Sequence, residues 1–215
     1  MTILVTGATG TVGRQVVAEL VRRGERVRAL TRDPAKANFP AGVETVRADL
    51  TDPETLIPAL EGVTGLHLIT FGEWAEGVRT EDGVSEPFVD RLSAMVHEAD
   101  IGAVAAVALT EAGHAGRTYA LTGPETLTVR DKVRILAAAR GKDIGLTELS
   151  AAQAAERWQR AGMDQETIDF LLDVYGNTPE VGRTVVDTVE RVTGRPARTF
   201  AEWAQEHADV FRAQD

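Results

Sequence analysis

The first third of the chain alternates short apolar runs with segments of helical periodicity. A β-branched run at residues 2–6 ends at Gly7, and a helical pattern of apolar residues follows from Thr11. Three further strand-like runs follow at residues 26–30, 43–48 and 66–70, and one further helical segment lies at residues 53–60. Strands that alternate with helices at this spacing predict a parallel sheet with right-handed crossovers.

This alternation stops after residue 72. Residues 72–92 are rich in Gly, Glu, Asp and Ser, and they predict a short helix near residues 73–79 followed by a loop. Beyond them the pattern predicts a strand at residues 118–121, an extended segment at residues 144–149 and helices at residues 98–110, 128–140, 151–161, 164–175, 180–193 and 199–211. We therefore expect three regions: residues 1–72, residues 73–125 and a mostly helical C-terminal region, residues 126–215.

The turn between the first strand and the first helix has glycines at the spacing G-x-x-G-x-x-G. Gly7 permits a tight turn, Gly10 lets the backbone approach a pyrophosphate, and Gly13 lets the helix pack closely on the sheet. The intervening residues of the predicted cofactor loop are Thr9, Thr11 and Val12. In this strand–turn–helix context the pattern predicts a dinucleotide site in a Rossmann-type α/β fold, because unpaired N–H groups at the helix start bind phosphate.

The end of the second strand bears on the choice between NADP and NAD. Arg32 follows this strand and Lys36 lies one turn later, where an NAD-binding protein would usually carry an acidic residue. A guanidinium can bind the 2′-phosphate of NADP in a bidentate manner. Alternatively, Arg32 is a solvated loop residue neutralised by Asp33. The pattern favours NADP(H), and NAD(H) remains possible.

Two later strand ends extend the predicted crevice. Asp49 and Leu50 close the third strand, where Asp49 either bonds the adenine amine or only caps the following turn. Thr70 and Phe71 close the fourth strand and are expected to border the cofactor, because ligands bind beyond the carboxyl ends of parallel strands.

Composition excludes several other classes of protein. The 215 residues carry a formal net charge of −10, which argues against direct binding to nucleic acid, and no apolar run is long enough for a membrane helix. The chain has no cysteine, so it has neither disulfides nor thiolate metal sites, and a cytoplasmic location is expected.

Several motifs resemble the NmrA-like proteins, atypical extended members of the short-chain dehydrogenase/reductase superfamily. The resemblance covers most of the chain in order, through residues 3–13, 31–34, 48–52, 68–71, 93–101, 119–124 and 194–200. It implies an NAD(P)-binding Rossmann domain with a C-terminal substrate region. It also implies that a central segment is absent, since Phe71 and Gly72 run into a stretch that looks like material beyond the family's sixth strand.

The missing segment would comprise two βα units, on the order of 60–70 residues. The family carries there the groups that face the nicotinamide. The superfamily's usual Tyr-x-x-x-Lys proton donor pair is also absent, as Tyr119 is followed by Gly123 and Tyr175 by Pro179. Without a fifth strand the fourth becomes an edge, which must be covered. Residues 73–92 or the strand near Tyr119 could cover it, but we expect a homodimer.

Histidine and tryptophan residues add weaker candidates. His97, Glu98 and Asp100 invite a metal or acid–base interpretation, but acidic residues favoured by a helix start explain them better, and we predict no metal site. His97 could nevertheless line the pocket. His67 is expected to be packed or hydrogen-bonded in its strand, and Trp74 lies just past the crevice.

Three functional hypotheses follow from the sequence. The leading one is NAD(P)H-dependent reduction of a small carbonyl or quinone-like acceptor, with no identifiable catalytic residue. The alternative is a non-catalytic protein that senses the nicotinamide pool and binds other proteins. A third is a scaffold or non-redox catalyst that has lost tight cofactor binding.

Overall fold

A computed structural model of the protein describes residues 1–68 and 83–211, which form two compact units. The first unit contains residues 1–68, 98–121 and 188–195, and the second contains residues 83–97, 122–187 and 196–211. No helix in these ranges is both long and apolar enough to cross a membrane.

The first unit is built on a parallel four-stranded sheet. Its strands are β1 (Thr2–Val5), β2 (Arg26–Thr31), β3 (Glu44–Arg47) and β4 (Gly65–His67), in the order β3-β2-β1-β4. Helix α1 (Thr11–Arg22) connects β1 to β2, and α2 (Pro53–Leu60) connects β3 to β4. The predicted Rossmann-type α/β fold class is therefore confirmed.

Both faces of this sheet are apolar, as expected for parallel strands flanked by helices. On one face Ile3, Val5 and Ala29 pack against Val16 and Leu20 of α1. The opposite face forms a smaller core of four fully buried residues, which are Leu4, Leu30, Ala48 and Ala59.

Helix α3 (Glu98–Thr110) packs alongside α1. A Cβ atom on Gly102 would lie 2.8 Å from the Cβ of Gln15, so the absence of a side chain there allows the two helices to approach closely. Residues Gln15 and Gly102 each lie one turn into their helices, and Arg23 bonds Glu111 at the other end at 2.9 Å. The N-termini of α1 and α3 therefore lie side by side. A short helix, α8 (Thr188–Thr193), also packs on α3.

The second unit combines a small parallel sheet with helices. Its strands β5 (Gly83–Pro87) and β6 (Gly145–Leu149) pair with each other. Its helices are α4 (Val129–Arg140), α5 (Ala151–Arg160), α6 (Gln165–Gly176), α7 (Glu180–Arg183), α9 (Phe200–Glu206) and α10 (Ala208–Phe211).

Four of the predicted elements were wrong in the described residues. Residues 83–87, expected to be a loop, form β5, whose partner β6 is some sixty residues away and therefore invisible to local patterning. Residues 118–121, expected to be a strand, form no regular element and belong to a loop, in which the Tyr119 hydroxyl hydrogen-bonds His114 at 2.7 Å. They do not cover β4.

The other two errors concern the late helices. The predicted helix over residues 180–193 is split into α7 and α8, because the Val186 amide donates to the Thr122 hydroxyl at 2.9 Å, which draws the backbone out of the helix. Residues 199–211 likewise form two helices, with His207 between them. The helix predicted near residues 73–79 and the end of the strand at residues 69–70 lie outside the described residues.

Candidate cofactor site

The glycine turn connects the buried end of β1 to the start of α1. Gly7 has a φ of 58°, a left-handed conformation that favours glycine, and the Gly10 amide donates to the Gly7 carbonyl at 2.9 Å. A Cβ on Gly13 would lie 2.8 Å from the Ala8 Cα and would overlap the Gly7 carbonyl group. Residue 13 must therefore be glycine for α1 to start where it does.

The start of α1 is suited to an anion. Gly10 is its N-cap and supplies no side-chain hydrogen bond, and the first turn contains no acidic residue. The first backbone bond of the helix joins the Arg14 amide to Gly10, so the preceding amides of Thr11, Val12 and Gly13 lack helical partners. Together with the helix dipole they form a positive site that Thr9, Gly10 and Thr11 leave exposed.

The strand order places this turn at the point where the chain reverses direction across the sheet. From β1 the chain proceeds to β2 and β3 on one side, and it returns to β4 on the other. Such a switch point forms a crevice beyond the carboxyl ends of the strands. Gly10, at the start of α1, has no Cβ that would obstruct a pyrophosphate. The residues of the turn therefore fit a dinucleotide.

The basic residues after β2 differ in their contacts. Arg32 is exposed, whereas Lys36 forms an ion pair with Asp33 at 3.2 Å. Asp33 thus neutralises Lys36 rather than Arg32. A further basic residue, Arg47, was not among the predicted site residues. It is the register partner of Thr31 and so ends β3 beside the residue that precedes Arg32. Only the strand register reveals this neighbour, and no sequence signal gives it.

Asp49 follows β3 and is half-buried. Its Oδ1 accepts hydrogen bonds from the Thr51 amide at 2.9 Å and from the Thr51 hydroxyl at 2.8 Å, so Asp49 does cap the following turn. The Thr51 hydrogen bonds, with a smaller contribution from the charge of Arg32, lower the pKa of Asp49. The neighbouring Leu50 is exposed. Thr70 and Phe71 lie outside the described residues, as does Trp74.

Two histidines lie in different surroundings. His67, which ends β4, has a buried Nδ1 without a hydrogen-bond partner among the described residues, and burial lowers its pKa. His97 is buried in the second unit, with its Nε2 3.3 Å from a Glu206 carboxylate oxygen. Within residues 1–68 and 83–211 no three His, Asp or Glu side chains come together as metal ligands would.

Comparison with known proteins identifies the family. A sequence profile described as NAD(P)H-binding matches residues 7–139, which is more than half of the chain. The chain belongs to this NAD(P)H-binding family. This assignment confirms the resemblance to NAD(P)-binding proteins of the NmrA-like class, and the matched residues begin at Gly7 of the glycine turn.

Individual relatives of this NAD(P)H-binding chain are named as reductases. An NAD(P)H azoreductase of Xenophilus azovorans is 29% identical, with coverage of 98% of this chain and 99% of the relative. The alignment extends over 284 positions, and this chain has 215 residues, so at least 284 minus 215, or 69, positions lack a counterpart here. This number agrees with the size of the segment expected to be missing.

Solved structures of two reductases share the fold. An NADPH-dependent quinone oxidoreductase of Escherichia coli, solved with NADPH, has a TM-score of 0.75 and 24% identity, covering 95% of this chain and 99% of that one. The triphenylmethane reductase of Citrobacter sp., solved with NADP(H), has a TM-score of 0.74 and 18% identity, covering 96% and 99%. Both likenesses concern the fold alone.

Proposed function

We propose that the protein is an NADP(H)-dependent oxidoreductase that reduces a small carbonyl or quinone-like acceptor. The observation that carries this proposal is the Gly7–Gly13 turn, in which three glycines and the uncapped start of α1 leave room and positive charge for a pyrophosphate. The names of its relatives, among them an azoreductase and a quinone oxidoreductase, support a reductive activity.

The residues of the turn bind and orient the cofactor. Backbone amides at residues 11–13 hold the pyrophosphate, and Asp49 and Leu50 border the adenine. We assign Thr70 and Phe71, which lie outside the described residues, to the edge of the cofactor crevice. The bound cofactor would supply the hydride. We assign the acceptor to the mostly helical C-terminal region, residues 126–215, and name no residue of this chain as proton donor.

Arg32 and Arg47 favour NADP(H) over NAD(H). Neither guanidinium forms an ion pair among the described residues, and the register of β2 and β3 brings both to the same end of the sheet. Two such cations suit a 2′-phosphate, whereas a free 2′-hydroxyl calls for a carboxylate acceptor. Lys36 contributes less, because Asp33 already neutralises it.

Two measurements test this function. Calorimetric titration should show NADPH binding, with weaker binding of NADH, and loss of NADPH absorbance should accompany addition of a quinone panel. Binding without turnover would defeat the oxidoreductase proposal. Affinity for NADPH weaker than about 1 mM, roughly −4 kcal/mol, would defeat the cofactor site itself.

A specific observation favours a second candidate, a non-catalytic sensor of the NADP(H) pool. At least 69 positions of the azoreductase have no counterpart here, and the sequence contains no Tyr-x-x-x-Lys pair. A sensor of this kind would bind NADP⁺ and NADPH with unequal affinity while catalysing no steady-state reduction. Titration with both forms, alongside the turnover assay, separates the two candidates.

We also propose that the protein is a homodimer in the cytoplasm. Strand β4 has only β1 as a partner among the described residues, and Leu66 and Leu68 expose apolar surface beside its unpaired edge. An exposed edge with apolar side chains promotes association with another chain, and a second copy can cover it. The cysteine-free composition fits a reducing compartment.

A further inference from the structure

The second unit contains an unusual lysine. The chain uses lysine at only three positions, Lys36, Lys132 and Lys142, and arginine at the other 20 of its 23 basic positions. Lys36 and Lys142 are exposed, whereas Lys132 on α4 is partly buried. Lysine loses its charge on burial far more readily than arginine does, so the choice of lysine at this position has chemical consequences.

The Lys132 amine is held by a serine. Its Nζ lies 2.6 Å from the Ser93 Oγ, which is 39 residues away in the sequence. Ser93 is itself fixed, because its amide and its carbonyl both bond Leu127 at 3.0 Å. The Lys132–Ser93 pair, a primary amine and a hydroxyl, therefore has a defined geometry.

The charged groups around this pair favour a neutral amine. Arg91 is the nearby cation, and it is held in place by Glu86 at 3.0 Å and by the Tyr175 ring, whose centre is 4.1 Å from the guanidinium carbon. Glu86 is thus engaged with Arg91, and no carboxylate of the described residues forms an ion pair with Lys132. Burial, and then the charge of Arg91, lower the pKa of Lys132 to about 8, against a smaller opposing effect of Glu86.

We propose that the Lys132–Ser93 pair is a covalent binding site for small aldehydes. A neutral amine attacks a carbonyl carbon, so that a C–N bond forms as the C=O π bond breaks. Ser93 Oγ accepts a proton from the nitrogen and returns one to the oxygen. Loss of water then leaves an imine, and the step needs no oxidant or reductant.

The three lysines make a direct experiment possible. The native protein is treated at about pH 7 with propanal and cyanoborohydride, which reduces the imine to a stable amine, and peptide mapping then compares the three lysines and, separately, the N-terminal amine. Lys132 should be modified at least roughly tenfold faster than Lys36 or Lys142, because at that pH far more of it is neutral. Its rate should level off above about pH 8, as the amine becomes fully neutral.

Three variants separate reactivity from structure. Lys132→Arg keeps the positive charge and should remove the fast modification, whereas Lys142→Arg should leave it unchanged. Ser93→Ala should slow modification of Lys132 about threefold or more and shift its pH profile, with unfolding by urea confirming that the fold persists. Equal rates at all three lysines in the native protein, or a Ser93→Ala rate equal to the native rate, would overturn the proposal. The test uses no nicotinamide cofactor, so it is independent of the proposed function.

Discussion

Gly13 lies against the carbonyl group of Gly7, with the carbonyl carbon 2.7 Å from the place where a Cβ on residue 13 would be. The contact joins the first turn of α1 to the end of β1, and it sets how closely the helix approaches the sheet. Gly13 thus has a structural role, whereas a Cβ on Gly10 would lie 3.2 Å from the Gly7 oxygen, a tight contact that a small shift relieves, so that Gly10 is available for a ligand.

Gly13→Ala should destabilise the protein. The added methyl group would overlap backbone that cannot rotate away, and overpacking of this kind costs about 1–3 kcal/mol. Urea unfolding should show this loss. The control is Gly182→Ala in α7, where the nearest atom to a new Cβ is 3.5 Å away, and which should leave stability unchanged or slightly raised.

Gly10→Ala should weaken NADPH binding while sparing the fold. The new Cβ needs only a small adjustment of its neighbour, but it occupies space where the pyrophosphate approaches the backbone. We expect the Kd for NADPH to rise by roughly tenfold or more, about 1.4 kcal/mol. Calorimetry on this variant and on Gly182→Ala tests the expectation, and equal affinities in the two would contradict it.

Arg32→Ala should reduce the preference for NADPH. Loss of a charge-assisted bond to the 2′-phosphate corresponds to about 1.5–3 kcal/mol, or a rise in Kd of roughly 10- to 100-fold, with NADH affinity unaffected. Arg26→Ala is a matched control, because Arg26 is an exposed arginine at the opposite end of β2. If both variants bind NADPH equally well, the 2′-phosphate lies elsewhere.

Stability should fall in mild acid because of His67. Burial lowers the pKa of this histidine in the folded protein below its reference value of 6.5, so the unfolded chain takes up a proton that the folded chain resists. This contribution to stability is complete above about pH 6.5 and is lost as the pH falls through and below that value. His67→Gln should lose less stability between about pH 7.5 and pH 5.5, as measured by urea unfolding. An identical pH dependence in the variant would argue against a titrating His67.

A charged residue introduced at the β4 edge should weaken the proposed dimer. Leu66→Glu places a carboxylate on the exposed apolar side of β4 and should raise the dimer dissociation constant at least roughly tenfold. Val181→Glu alters an even more exposed apolar residue on α7 and should have no such effect. Sedimentation velocity at tens of micromolar distinguishes the two outcomes, and a monomeric native protein would exclude the dimer.

Local signals explain why some elements could be predicted from the sequence. Thr128 forms a capping box with Asp131, and Asp52 caps α2, so both helices begin where their sequences indicate. Pairing between distant segments has no such signal. Strand β5 exists only through β6, and the Thr122–Val186 hydrogen bond interrupts an otherwise helical pattern.

The same distinction applies to the candidate site. The glycine turn could be recognised because its three glycines lie within seven residues and each meets a steric constraint within that short segment. Arg47 could not, because its position beside Thr31 depends on the register between two strands. The burial of His67 and the proximity of Lys132 to Ser93 likewise arise only when separate parts of the chain fold together.

The composition of the first unit has a practical consequence for protein engineering. The first unit, which contains α1, is assembled from three separated stretches, the last of which begins at Thr188, where Thr188 and Val189 are buried. A fragment that stops at residue 68 would leave the α1 surface at Gln15 without the helix that carries Gly102. The glycine turn therefore cannot be moved to another protein as a short fragment, and a truncated expression product would expose apolar surface and aggregate.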